Sequence, residues 1–303
     1  MNLEALCVGH AAYDVSLFVD GFPLENSKAE IGEALESGGG PAANAAYLLA
    51  LWGTRTAFAG LVGDDHYGHC IRDELTTVGA DVSLLQLAPS HPTPFSVILV
   101  NRQTGSRTII NRKAGGRFLQ LGVSALANLT PKVLLFDGHE PEASLAGLLA
   151  IPNSISILDA GSWREGTASL AGKVNYLVAS ERFARQATGL GELGKESDRR
   201  SCLSRLREQF PTTVVVTLGE AGLIADDGSG FRHLPAFPAE AVDTTGAGDI
   251  FHGAFAFALT RDSCLWEGLR FASMAASLSV RVRGGRGSIP TLAAVKEALT
   301  HAG

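Results

Sequence analysis

Paired cysteines, long apolar runs and an excess of positive charge are all missing from this chain, and each absence removes a class of function. The four cysteines (Cys7, Cys70, Cys202 and Cys264) are scattered, with no CxxC pair and no metal-ligand spacing. They read as small buried apolar residues in a reducing compartment rather than as a disulfide framework or a zinc site. No uninterrupted apolar stretch reaches the ~18 residues that a membrane span needs. The N-terminal segment MNLEALCVGH has no basic region and no long apolar run, so no signal peptide is expected and the expected location is the cytoplasm. With 25 Lys and Arg against 31 Asp and Glu the net charge is −6, which gives no reason to expect nucleic acid or an anionic membrane as partner. A small anionic substrate stays open, because a local group of backbone N–H donors outweighs a modest global charge.

What is present is apolar and rich in glycine. Apolar residues make up 46% of 303 residues and charged ones 18%, enough for a sizeable core in one large α/β domain with an appendage. Short apolar runs that read as strands occur at LEALCVG (3–9), TAFAGLVG (56–63), KVLLFDG (132–138), SISILDAG (154–161), VNYLVAS (174–180) and TTVVVTLG (212–219). Helical segments separate most of them, among them PAANAAYLLALW (41–52), with proline in its first turn and Gly53 after its end, and HYGHCIRDELTTVG (66–79). Strands written as continuous apolar runs and alternating with helices predict a mainly parallel sheet covered on both faces, a three-layer α/β/α sandwich.

Two segments break the alternation. TPFSVILVNRQTGSRTIIN (93–111) places two β-rich runs around a turn, and DVSLFVDGFP with SKAEIGEALES (14–37) is also strand-like. Paired together, segments of about 14–37 and 93–112 would form a small β-sheet lid on a single domain spanning 1–303, not an independent domain.

The chemistry concentrates in glycine stretches. In VDTTGAGDIFHGA (242–254) a glycine turn opens an apolar helix, whose first N–H groups are unpaired and carry the positive end of the dipole. Gly246 and Gly248 let an anion approach the backbone, and Asp249 at the same mouth is placed to act as a base towards a hydroxyl. A hydroxyl, a transferring phosphoryl group and an anion cradle in one place describe a kinase. The plainer reading is a glycine-capped helix with Asp249 as its dipole partner. SGGGPAANAA (37–46) adds glycines for close backbone approach and Asn44 as a partner for a polyol; Asp14, just after the first strand, is either a grip on vicinal hydroxyls or a turn residue. VTLGEAG (216–222) follows a strong strand and could border a nucleotide.

Taken in order, GHAAYD, GGGPAANAAYLLALWGTRTAFAGLVGDDHYG, the paired β segments, VTLGEAG and DTTGAGDIFHGA resemble the ribokinase-like (PfkB) family of carbohydrate kinases along the whole chain. The resemblance implies a ribokinase-like α/β core with a β lid, transferring the γ-phosphate of ATP to a sugar or related hydroxyl. It implies Asp249 as catalytic base, and Gly246, Ala247 and Gly248 as the anion hole. It implies Asp14, Gly39, Gly40 and Asn44 as sugar ligands, and Thr217, Gly219 and Gly222, beside Gly246 and Gly248, as the nucleotide-binding set. Mg2+ would accompany ATP, and a monovalent cation such as K+ would lie near Asp243, Thr245 and Ser288. A homodimer formed through the lid is the expected assembly.

The chain departs from the family at one place. Where many members carry N-x-x-E, helping to organise Mg2+, VASERF has Ser180 and Phe183, with Glu181 as the nearest carboxylate. Within the family the glycine signatures and RFASMAASLSVRVRGGRGSIP look most like the sulfofructose kinase branch, which implies a cationic, amide-rich cradle for a sulfonate. Lys28 and Asn111 stand in suitable lid positions, but His139 takes the place where that branch would have an arginine. A plain ketose, a phosphosugar or 2-keto-3-deoxygluconate fits nearly as well. A nucleoside kinase of the same fold and a non-catalytic sensor are the alternative functions. Arg281, Arg283 and Arg286 are candidates for phosphate contacts or for a solvated loop; His66 and His69 for a metal pair or an exposed helix face.

Overall fold

A computed structural model describes residues 3–113 and 115–302. The chain runs β1 (Ala5–Val8), β2 (Ala12–Val19), β3 (Ala34–Gly39), α1 (Pro41–Leu51), β4 (Thr56–Gly63), α2 (His66–Thr77), β5 (Asp81–Ala88), β6 (Phe95–Asn101) and β7 (Arg107–Arg112). It continues through α3 (Val123–Leu126), β8 (Val133–Phe136), α4 (Pro141–Ala150), β9 (Ile155–Ala160), α5 (Glu165–Ala171), β10 (Tyr176–Ser180), α6 (Glu181–Thr188) and α7 (Glu196–Gln209). The last part holds β11 (Thr213–Thr217), β12 (Leu223–Asp226), β13 (Phe231–Leu234), α8 (Ala247–Thr260), α9 (Leu265–Ser279) and α10 (Leu292–His301).

Nine strands form the large sheet in the order β13-β12-β11-β10-β9-β8-β1-β4-β5. From β5 to β11 every pairing is parallel; β12 and β13 close the edge as an antiparallel hairpin. Successive residues of one strand enter opposite layers, as the two-residue period requires. In β1, Ala5 and Cys7 join the core under α1, α2, α8, α9 and α10, whereas Leu6 and Val8 join the core under α3 to α7. This is the α/β/α sandwich that the alternation of apolar runs predicts. β5 is the strand with the weakest signal: only Leu85 and Ala88 in DVSLLQLA are buried, because it lies at the sheet edge.

The two β excursions make a separate sheet of order β3-β2-β6-β7, with β2 and β6 parallel and the outer pairs antiparallel. Phe18, Ile98 and Val100 form its small core. The strand-like reading of SKAEIGEALES holds only from Ala34; residues 20–33 are an exposed loop, since Glu30, Gly32 and Glu33 provide no apolar face to bury.

Two helices set the site. α1 starts at Pro41 behind Gly40, whose φ of 94° demands glycine. α8 starts behind Gly246, at φ 74°, and is buried from Ile250 to Thr260 between α1 and α9. The two helices approach closely because Gly253 faces Ala45: a Cβ added at Gly253 would come within 3.1 Å of the Ala45 Cα. That close crossing brings the start of α1 to the start of α8.

Candidate active site

At the C-terminal ends of β1, β8 and β9 lies a cleft of about 590 Å3, walled on one side by the smaller sheet. This is the end of a parallel sheet where ligands generally bind. Its lining joins residues distant in sequence: Asp14 and Ser96 from the smaller sheet, Gly40 just before α1 and Asn44 within it, His139 after β8, and Gly246 just before α8 and Asp249 within it.

Asp249 accepts a hydrogen bond of 2.7 Å from Asn44 Nδ2. Burial and the nearby Asp159 carboxylate push its pKa up to about 7, against the opposing pull of Asn44 and His252. A carboxyl poised near neutrality suits a base that must take a proton from a hydroxyl. His252, one turn further along α8, places Nδ1 3.0 Å from Asp159 Oδ2 and 2.6 Å from the Gly248 carbonyl. Burial would depress its pKa, but the Asp159 carboxylate more than compensates and the net shift is upward.

Asp14 is raised by burial, partly offset by a hydrogen bond from Ser96 and by the Arg286 charge. Gly39 leaves room for Asp14: a Cβ there would overlap the Asp14 carboxylate. Asp137, at the end of β8, accepts from the backbone N–H of His10 at 2.8 Å, His139 at 2.9 Å and Ala42 at 3.2 Å. Burial pulls it upward, yet His139, His10 and these hydrogen bonds hold the carboxyl well below the usual range. One buried carboxylate thereby ties the loop after β1 and the first turn of α1 to the loop after β8.

His139 stacks on His10 with ring centroids 4.4 Å apart, and its Nε2 meets Arg164 Nη1. Arg164, from the loop after β9, also donates to the Asp137 carbonyl at 3.1 Å, and its buried Nε has no partner. A guanidinium therefore stands beside His139 although the chain has no arginine at that position. Burial, then the His139 charge, drops the His10 pKa to about 4, so this ring is neutral at pH 7. Arg107, Arg112, Lys113 and Arg117 join Arg164 along the lining, which also carries the carboxyl groups of Asp14, Glu140, Glu165 and Asp249. Burial pushes the Glu140 carboxyl up to about 7. Arg107 crosses from β7 to the Thr244 hydroxyl at 2.5 Å, tying the smaller sheet to the loop before α8.

Of the residues singled out in the sequence, the cleft gathers Asp14, Gly40, Asn44, Asn111, His139, Thr245, Gly246 and Asp249. Lys28 lies in the exposed loop 20–33, away from the lining. Thr217, Gly219 and Gly222 stand at the end of β11, beyond β9 and β10 from the cleft. Gly222, at φ 86°, needs glycine twice over, since a Cβ would overlap the Leu234 carbonyl. The start of α8 lies between the two places: His252 reaches the Val178 carbonyl of β10 at 3.4 Å while Asp249 faces the cleft.

Asp243 spends its carboxylate on the backbone N–H of Thr245 and of Gly284, each at 2.9 Å, and Ser288 Oγ donates to the Gly285 carbonyl. Thr245 Oγ1 is buried without a partner. A buried carboxylate with an orphaned hydroxyl beside it fits a monovalent cation. The N-x-x-E position does not fit a metal: Ser180 caps α6 by accepting from Phe183 N–H, and the Phe183 ring is wholly buried. Among the described residues no group of three or more His, Cys, Asp and Glu could hold a metal ion. His69 pairs with Asp64 at 2.9 Å, and His66 stands 3.7 Å from Cys70 Sγ.

Several site residues carry no local sequence signal. Asp137, His10 and Arg164 follow strands as ordinary loop residues do, Asp159 lies within the apolar strand β9, and Glu74 sits mid-helix in α2. Arg286, in a glycine-rich loop, is neither solvated nor a free phosphate ligand: it is 5% exposed and paired with Glu74 at 2.6 Å.

A sequence profile of the pfkB family carbohydrate kinases matches residues 2–292. A ribokinase of Lactococcus lactis subsp. lactis is 30% identical over 271 residues, covering 86% of this chain and 85% of the relative. A nucleoside kinase of Methanothermobacter thermautotrophicus is 28% identical, covering 95% of this chain and 92% of the relative. In three dimensions a protein of Agrobacterium tumefaciens, provisionally named a ribokinase, superposes with a TM-score of 0.89 at 30% identity, covering 100% of this chain and 99% of its own. Arabidopsis thaliana ribokinase, solved with ribose and ATP, gives a TM-score of 0.84 at 25% identity with 99% of each chain covered. The chain belongs to the pfkB family of carbohydrate kinases, enzymes that move a phosphoryl group from ATP to a hydroxyl of a sugar-like acceptor.

Proposed function

We propose that this kinase phosphorylates a sugar derivative that carries an anionic group, with Asp249 as the base. The observation that carries the reading is the part-buried Asp249–Asn44 pair opening onto a cleft whose lining also presents Arg112, Lys113, Arg117 and the Arg164–His139 pair. Asp14 and Asn44 hold acceptor hydroxyls, with Gly39 and Gly40 letting the acceptor approach the backbone. Asp249 takes the proton of the attacking hydroxyl, and the backbone N–H groups of Gly246, Ala247 and Gly248 receive the charge of the transferring phosphoryl group. Thr217, Gly219 and Gly222 border the nucleotide.

Mg2+ would be held by the phosphates of ATP and would neutralise their charge; at the N-x-x-E position this chain has Ser180 and Phe183. A monovalent cation held by Asp243, Thr245 and Ser288 would add positive charge beside the anion hole. The smaller sheet serves as a lid that excludes water. Its outer strand β7 is exposed along its length, with Ile109 and Ile110 45% and 59% accessible, which suits a second copy of the chain as its cover. No helix of the described residues is long and apolar enough to cross a membrane.

The acceptor classes that suit the cationic side chains of the lining are a sulfo-sugar, a phosphosugar or a sugar acid; a plain ketose uses only the hydroxyl partners. A nucleoside would prefer an apolar sandwich, and Phe95 and Phe118 are the only Phe, Tyr or Trp side chains among the lining residues. A sensor without turnover is disfavoured by the intact Asp249. The test is ADP release with Mg2+, K+ and ATP across ribose, fructose, 2-keto-3-deoxygluconate, fructose 6-phosphate, sulfofructose and nucleosides. Turnover on an anionic acceptor, lost in Asp249→Asn, supports the reading; preference for ribose, fructose or a nucleoside overturns the anionic part.

A further inference from the structure

Arg286 lies outside the cleft lining, yet it is buried at the edge of the site. Its Nε donates to Asn44 Oδ1 at 3.1 Å, and its Nη1 donates to Glu74 Oε2 at 2.6 Å. The guanidinium lies over the Tyr47 ring at 4.9 Å. Gly38 has no Cβ because one there would overlap the guanidinium, and the Gly38 N–H donates to both oxygens of Glu74 at 3.0 Å.

We infer that Arg286 is a positioning residue for the base, acting through the side-chain amide of Asn44; the inference rests on the reading of Asp249 given above. A carboxamide has two orientations that differ by exchange of oxygen and nitrogen. Arginine donates only, so the amide oxygen must face it. The amide nitrogen is thereby turned to Asp249, where it meets Oδ2 at 2.7 Å. The reversed orientation would set two donors together at Arg286 and two acceptors together at Asp249. Glu74 keeps the guanidinium charged and in place, because an unpaired buried cation is costly. The chain of contacts thus runs from Gly38 in β3 through Glu74, Arg286 and Asn44 to Asp249. The other titratable groups acting on Asp249 are Asp159, His252 and Asp14.

The test needs no acceptor. In apo protein carrying 13C-labelled aspartate carboxyls, the Asp249 signal is identified by its loss in Asp249→Asn and followed between about pH 5 and 9, a range centred on a carboxyl poised near neutrality. Arg286→Gln should raise its midpoint by about one pH unit, the loss of one charge-assisted hydrogen bond. Arg286→Lys keeps the charge against Glu74 but lacks the planar fork that also reaches Asn44, so it should raise the midpoint by about half as much. In an Asn44→Ala background neither change should add a shift. An unchanged midpoint in both variants overturns the inference, as does a full shift in the Asn44→Ala background, which would mean that the charge acts directly through space. If Arg286→Gln fails to fold, Arg286→Lys in the two backgrounds decides between the same alternatives. Turnover by Asp249→Asn would overturn the base assignment and leave this titration intact, so the two failures are distinguishable.

Discussion

His252 Nδ1 lies 3.0 Å from Asp159 Oδ2, one helical turn beyond Asp249. The pair sets two opposed charges near the base: Asp159 raises the Asp249 pKa and His252 lowers it. Removing either one should move the acidic limb of the kcat–pH profile, in opposite directions. Asp159→Asn should shift the limb to lower pH, and His252→Asn to higher pH. Equal shifts, or none, would show that this pair does not set the base.

Asp249→Asn should lower kcat by at least ~10²-fold while leaving nucleotide affinity nearly unchanged. The same change should alter stability with a definite sign. A carboxyl raised to about 7 in the folded state binds its proton more tightly than the unfolded chain does. Its contribution is therefore present below the unfolded pKa and is lost as pH rises through about 7. Asp249→Asn, which removes the part-buried charge, should raise Tm at pH 8 relative to the parent more than at pH 5. Thermal melts at both values check this.

Arg164→Met removes the guanidinium beside His139 while keeping most of the side-chain volume. For an acceptor with an anionic group, KM should rise about 10- to 100-fold, the worth of a charge-assisted hydrogen bond. For a neutral ketose KM should hardly change. Parallel losses on both acceptors would mean that Arg164 only supports the loop.

Gly253→Ala places a methyl within 3.1 Å of the Ala45 Cα, backbone that cannot turn aside. The expected cost is about 1–3 kcal/mol of stability. Because α1 carries Asn44 and α8 carries Asp249, kcat should fall more than the acceptor KM rises. Denaturant melts and steady-state kinetics separate the two effects.

The local features of this protein were legible without a fold. Apolar runs of four to eight residues alternating with helices are enough to predict the doubly covered parallel sheet, since each strand's burial follows from its own composition. The start of α8 is equally local: glycine at 246 permits the left-handed turn, and the unpaired N–H groups follow from any helix beginning there. β5 and the exposed loop 20–33 were hard to read because their fates depend on sheet position rather than on their own residues.

Tertiary structure decided what surrounds the base. Asn44 is 205 residues from Asp249, and Arg286 is 242 residues from Asn44. Asp159 reaches the site from β9, Arg164 from the loop after it, and Glu74 from α2. Charge, burial and hydrogen bonding act through space over a few ångströms, so a one-dimensional pattern holds no record of which distant side chains meet. The sequence determined that a carboxylate would stand at the mouth of a helix; only the packing of α1 against α8 and of the smaller sheet against α1 and α2 decided its neighbours, its proton affinity and the charges that share its cleft.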